Sequence, residues 1–262
     1  MQTLYLQGAS KNPLFSSAFM RQAIISDIHS NLEALVAVIE RIDALEVNSI
    51  VCLGDIVGYN AQPNECVDMI RERGIPSVMG NHDARAGGLE EPDNFNPIAK
   101  RAVLWTRSRL SHENLRFLCG LPRMVRVQDR FAAVHGAIDD TDTYILGRCE
   151  IERNFKLLEG SGFLLCFFGH THLSSVYSSD GMNLDMHTSG CVEIRQGLSY
   201  LINPGAVGQP RDGDPRASFL VYDSGKKLIT FERVEYDIES ASRNVIEAGL
   251  PKELASRLFI GR

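Results

Sequence analysis

Five short phrases hold most of the side chains in this 262-residue chain that could bind a cation or move a proton. They are "DIH" at residues 27–29, "GD" at 54–55, "GNHD" at 80–83, "HG" at 135–136 and "GHTH" at 169–172. Together they supply Asp27, His29, Asp55, Asn81, His82, Asp83, His135, His170 and His172. Five of the seven histidines fall in this set, and only His112 and His187 lie elsewhere. Any one of these residues could be a polar side chain capping a strand end. The whole set on one rim calls for another account. Imidazole and carboxylate donors without thiolate suit Mn, Fe, Zn or Ni rather than Ca or an iron–sulfur centre. There are too many donors for one tetrahedral ion, whereas two ions sharing a carboxylate would use them.

The elements that must position these residues are legible as short apolar runs. Residues 23–26, 50–53, 76–79, 131–134, 163–168 and 200–202 each stop abruptly at a polar residue, usually beside glycine. Runs of this length between turn residues predict buried strands. Leu32, Leu35, Val36, Ile39, Ile42 and Leu45 keep the spacing of one helix face. Ser30 and Glu33 have the arrangement of a capping box at its start. Pro63 and Gly74 bracket a second helix, and residues 98–118 predict a third, rich in arginine. Beyond residue 163 the chain turns mostly to strand, with hairpins at 174–190 and 217–234, and ends in two short helices. Ligands of open α/β sheets collect beyond the carboxyl ends of the strands, which is where all five phrases lie.

Composition narrows the function classes. With 44% apolar and 23% charged residues the chain reads as globular. A formal charge of −6 speaks against a nucleic-acid polymer or an anionic membrane as partner. A small anionic substrate stays open, because bound cations dominate the field of a site. The six cysteines are scattered without a CxxC pair, so disulfides are not expected and a cytoplasmic location is. No apolar stretch approaches the ~20 residues of a membrane span. Residues 1–19 read as an extension of unknown role before one domain at 20–262; oligomeric state is not legible.

The five phrases in this order resemble the signature of the calcineurin-like metallophosphoesterases. The longer stretches "SDIHSNLEAL", "GDIVGYNAQP" and "NPGAVGQPRDGDPRASF" are similar to a prokaryotic subgroup of small phosphodiesterases and nucleotide phosphatases. The resemblance implies a four-layer α/β/β/α sandwich with two mixed β-sheets, the metallo-dependent phosphatase fold. It implies two divalent transition-metal ions: Asp27, His29, Asp55 and His172 on one, and Asp55, Asn81, His135 and His170 on the other. A water made basic by the pair would attack phosphorus. His82 would serve the leaving group, with Asp83 accepting a hydrogen bond from it and favouring its charged form. Gly80 would allow the tight turn of that loop.

Other residues carry weaker expectations. Arg211 is a candidate phosphate contact; Asn31 is a helix-start residue or a substrate contact, and Asn203 either approaches a metal or shapes the "NPG" turn. Arg101, Arg107, Arg109 and Arg116 read as a solvated helix face, with a nucleotide tail as the alternative. The segment "AIDDTDTYIL" after His135 is expected to wall the pocket. The expected substrate is a small phosphodiester or phosphoanhydride, nucleotide-like. Phosphomonoesters or protein phosphate are alternatives within the class, and a non-catalytic metal-binding scaffold is the alternative outside it.

Overall fold

Alternation of apolar residues along the strands divides the interior into layers. A computed structural model of the chain describes residues 4–5, 20–127 and 130–262. Elements are numbered in chain order. One sheet runs β1 (Leu4–Tyr5), β4 (Met124–Val127), β5 (Phe131–Val134), β6 (Leu165–Phe167), β10 (Ser199–Pro204), β7 (Ser174–Ser179) and β8 (Leu184–His187). The other runs β3 (Ser49–Cys52), β2 (Arg21–Ile25), β11 (Ala217–Asp223), β12 (Leu228–Val234) and β9 (Cys191–Glu193). Both sheets are mixed: β6 pairs in parallel with β5 and β10, and β2 with β3, while the hairpins β7–β8 and β11–β12 are antiparallel.

Ile24, Phe131, Ala133, Leu165, Phe167, Tyr200, Ile202, Leu220 and Tyr222 point between the sheets and form one core. Their strand neighbours point outward. Ala23, Ile25, Phe219 and Val221 pack under α1 (Leu32–Ala44) and α2 (Pro63–Glu72). Ala132, Val134, Cys166, Phe168 and Leu201 pack under α6 (Arg148–Ser161). The period-2 alternation therefore builds the expected α/β/β/α sandwich. A fourth apolar cluster joins α4 (Pro97–Arg109) to α7 (Ile238–Glu247) and α8 (Lys252–Leu258), and it includes Tyr59.

Three local expectations are corrected. Residues 76–79 form one bridge, Ser77 to Cys52, and no named strand, because Pro76 has no N–H to give and the chain turns away at Gly80. The stretch 98–118 is two helices, α4 and α5 (His112–Cys119). Ser111 caps the second by accepting from Asn114 N–H, and its own N–H goes to Asn64 Oδ1. The cap of α1 is Asn31 and not Ser30: Asn31 Oδ1 accepts from Ala34 N–H, while Ser30 Oγ accepts from Gly58 N–H. Glu33 is turned to Gln62 and Asn244. Of residues 1–19, all but the two of β1 lie outside the described residues.

Asn31 also donates through Nδ2 to Gly208 C=O, so both ends of its amide are committed to structure. Asn31→Ala is expected to destabilise the protein by about 1–2 kcal/mol in denaturant unfolding, the loss of a cap with a buried partner left over.

Candidate metal centre

The rim of the sandwich is zipped together by backbone hydrogen bonds between loops from both sheets. Asp27 N–H donates to Gly54 C=O, His29 N–H to Asp55 C=O and Ser30 N–H to Ile56 C=O, joining the loops after β2 and β3. Gly208 N–H donates to Asp27 C=O, and Gly169 N–H to His135 C=O, which draws in the loops after β10, β5 and β6. Seven of the nine non-glycine residues with positive φ, among the described residues, lie on this rim: Asp27, His29, Ser30, Asp55, Tyr59, His170 and His172. Such backbone costs about 1–3 kcal/mol per residue and clusters where function over-determines it.

Within this frame the predicted ligands converge. Asp27, His29 and His172 bring donor atoms within 4.8 Å of one another, as do Asp55, His135 and His170. His29, Asp55 and His82 form a third such group, and Asp55 thereby links the first two. Asp55 Oδ2 lies 3.6 Å from His29 Nε2 and 3.3 Å from His135 Nε2. Asp27 Oδ1 lies 3.3 Å from His172 Nε2 and 3.7 Å from His29 Nε2. Asn81 Oδ1 is 3.1 Å from His135 Nε2. All of these side chains are buried.

The second half of each candidate ligand is anchored. Asp27 Oδ2 accepts from Ser26 Oγ and from His170 N–H, and Asp55 Oδ1 accepts from His82 N–H. The inward oxygens, Asp27 Oδ1 and Asp55 Oδ2, are buried with no hydrogen-bond partner. His29, His135 and His172 each donate Nδ1–H to a backbone carbonyl, of Val57, Leu53 and Gln209. That fixes each ring's orientation and turns Nε2 toward the cluster. His170 donates Nε2–H to Asp142 C=O, leaving Nδ1. The Nε2 atoms of His29 and His172 thus face each other at 3.1 Å, an arrangement that needs a positive charge between them.

Electrostatics ask for the same. Burial opposes ionisation of both carboxylates, yet both are held well below the usual range, Asp27 chiefly by His172 and Asp55 chiefly by His135. Burial would discharge His135, but Asp55 outweighs it and lifts the imidazole to about 10. Burial lowers His29, and drives His170 down to about 3. Buried carboxylates facing imidazole nitrogens are the donor set of a divalent cation, whose charge would take the place of the proton that Asp55 holds on His135, so the residues fit the metal ions expected from the sequence.

The "GNHD" stretch departs from expectation. It is not a loop but the start of a short helix, α3 (Asn81–Ala86). Asp83 does not bind His82. Its oxygens accept from Val57 N–H and Gly80 N–H, tying two rim loops together, and burial beside Asp55 pushes it up to about 7. Burial takes His82 down to about 4, so the ring is neutral near pH 7, and its Nδ1 is buried without a partner. Gly80 has an ordinary φ of −85°. It is needed for space, since a Cβ there would stand 2.0 Å from Asp55 Oδ1.

Arg211 reaches the rim as expected, half-buried, with its charge felt at both His82 and His172. Asn31 does not face the cluster with a free group. Asn203 shapes the turn: its Nδ2 donates to Gly169 C=O and Thr171 Oγ1, and its Oδ1 accepts from Gly205 N–H. The α4–α5 arginines are tied to structure, with Arg107 on Arg85 C=O, Arg101 on Gly249 C=O, Arg109 over the Trp105 ring and Arg116 on His112 C=O. Sequence reasoning missed Tyr59, whose ring lies 4.6 Å from that of His29 and 4.5 Å from that of His82, and Phe95, 4.6 Å from His82. It placed the 137–146 segment at the pocket without singling out Tyr144, which stacks on His170 at 4.0 Å. The one available signal was Tyr59 itself, an aromatic in "GYN" between turn residues.

Comparison with known proteins decides the family. The profile of the Calcineurin-like phosphoesterase superfamily domain matches residues 20–227, a span that takes in the whole cluster. The chain belongs to that superfamily. This phosphoesterase is therefore a hydrolase. It is 41% identical over 245 residues to an uncharacterised protein of Methanocaldococcus jannaschii, covering 92% of this chain and 98% of the relative. The solved metallophosphoesterase of Sphaerobacter thermophilus is 40% identical, with a TM-score of 0.82 over 93% of this chain and all of that one. A hypothetical protein of Pyrococcus horikoshii shares the fold, at 20% identity and a TM-score of 0.76 over 92% of this chain and 98% of that one.

Proposed function

We propose that this phosphoesterase holds two divalent transition-metal ions, Mn, Fe, Zn or Ni, and hydrolyses a phosphodiester or phosphoanhydride of a small, nucleotide-like substrate. The observation that carries this reading is Asp55 Oδ2, buried without a hydrogen-bond partner between His29 on one side and His135 on the other. Asp27, His29 and His172 complete one ion's ligands, and Asn81, His135 and His170 the other's. Bound, such a pair supplies Lewis acidity for the phosphoryl oxygens and lowers the pKa of water. The neutral amide of Asn81 limits negative charge where a phosphate must approach. His82, neutral and buried, donates a hydrogen bond from its ring to the departing oxygen as charge develops there.

The partner in this reading is a small phosphorylated molecule and not a nucleic-acid polymer or membrane, in keeping with the charge of −6 and the burial of the ligand atoms. No helix among the described residues is long and apolar enough to cross a membrane. All six cysteines are unpaired, which suits a reducing compartment such as the cytoplasm. Burial raises the thiols of Cys52, Cys66 and Cys166, the last to about 12. In a thiol-reagent titration Cys149 and Cys191, which are exposed, are expected to react quickly. Those three buried thiols should react only on unfolding.

The test is to strip the protein with a chelator, restore Mn²⁺, count the metal, and assay model mono- and diesters beside dinucleoside polyphosphates. About two ions per chain and metal-dependent turnover of diester or anhydride are expected. Full metal occupancy without turnover of any phosphoester would instead establish a scaffold.

A further inference from the structure

Arg85, in α3, is an arginine only 4% exposed, and it is not one of the candidate ligands. Its Nη1 donates to Asn81 C=O at 3.1 Å and lies 3.1 Å from Glu90 Oε2. Its Nη2 donates to Asp142 Oδ2 at 3.0 Å. Cζ stands 4.7 Å from the centroid of the Phe95 ring. The Arg85 carbonyl accepts from Arg107 Nε and Nη2 at 2.9 and 2.6 Å, so α4 fixes the end of α3.

Two of these partners lead directly to candidate ligands of one ion. Asn81 presents its Oδ1 beside His135 Nε2. Asp142, gripped by its carboxylate, accepts from His170 Nε2 at 3.0 Å through its backbone carbonyl and so orients that ring. Tyr144, two residues on, stacks on the same ring. The rings of the other ion's ligands have different anchors: His29 is held by the Val57 carbonyl and His172 by that of Gln209. A buried guanidinium beside a cation site would by itself repel the cation. The carboxylates of Asp142 and of Glu90, which is shared with Arg123, offset that charge. What Arg85 contributes is geometry, a planar fork that reaches the first turn of α3 and the 137–146 segment at once. Ligands drawn from separate stretches of chain keep a cation's geometry only while their outer partners hold them together.

We propose that Arg85 is the positioning residue of one cation site. It fixes Asn81 and, through Asp142, His170 relative to each other, and so sets the affinity for the ion those residues share with His135. The ion of Asp27, His29 and His172 does not depend on it. This rests on the two-ion reading above and deepens it. The two sites then differ in kind. One is held by the loop pairing of the rim alone, while the other is filled only as long as α3 and the 137–146 segment stay joined.

Equilibrium dialysis of the full chain against graded Mn²⁺ tests this, with folding checked by thermal melting. The wild type should bind two ions. Arg85→Gln should weaken one of them about 10–100-fold, the usual effect of losing a ligand's outer partner, and leave the other unchanged. A double-mutant cycle identifies which: added to His135→Ala, which weakens the same site, Arg85→Gln should lower the affinity for the remaining ion no further. Asp142→Ala, at an exposed carboxylate, cuts the same tie from its other end and should repeat the pattern. It decides the matter by the same criterion if Arg85→Gln does not fold. Two ions held at wild-type affinity in the folded variant, or both weakened alike, would overturn the positioning role and leave the two-ion reading standing. A wild type that takes up fewer than two ions would overturn the role through the reading beneath it.

Discussion

Asp55→Asn is expected to empty both cation sites at once. Its Oδ1 is engaged with His82 N–H, so Oδ2 alone faces the two imidazoles. Asparagine keeps the shape and the bond to His82 but removes the charge that both clusters share. Loss of an outer partner costs 10–100-fold in metal affinity; loss of a shared ligand's charge should cost at least ~10²-fold at each site. Metal analysis after dialysis would read near zero where the wild type retains two ions. His135→Ala should behave differently and weaken only the site it shares with Asn81 and His170. If Asp55→Asn kept one tightly held ion, the carboxylate would not be the bridge.

His82→Ala is expected to do the opposite, keeping the metal while lowering kcat by roughly 10²–10⁴, the range of a positioned proton or hydrogen-bond donor. The ring is enclosed by Tyr59, Phe95 and His29, and a Cβ on Gly58 would stand 2.5 Å from its Nδ1. That enclosure fixes its direction without a carboxylate partner. His82 also stands within reach of His29 and Asp55 as a possible ligand. The experiment separates the two roles: loss of an ion together with activity would make it a ligand, while turnover at the wild-type rate would deny it any part in the chemistry. Asp83→Asn should instead act on stability, since its oxygens hold Val57 and Gly80.

The layers and the cluster of candidate ligands were legible because each depends on a short-range pattern. Apolar alternation in runs such as 131–134 and 200–202 gave the strands their faces, and a polar residue at the end of each run marked the rim. What was not legible depends on distant chain meeting at one place. Asp83 follows His82 directly in the sequence, but helix α3 turns its carboxylate toward Val57 and Gly80, and adjacency misled. Gly80 read as the pivot of a tight turn and is in fact a gap kept for Asp55. The Asn31 cap was hidden by the neighbouring Ser30, whose hydroxyl is drawn to Gly58 by the loop pairing.

Anomalous diffraction from crystals of the Mn²⁺-loaded protein tests the bridged pair most directly. Two peaks ~3.5–4 Å apart are expected, one among Asp27, His29 and His172 and one among Asn81, His135 and His170, with Asp55 touching both. A single peak, or two that do not share Asp55, would contradict it.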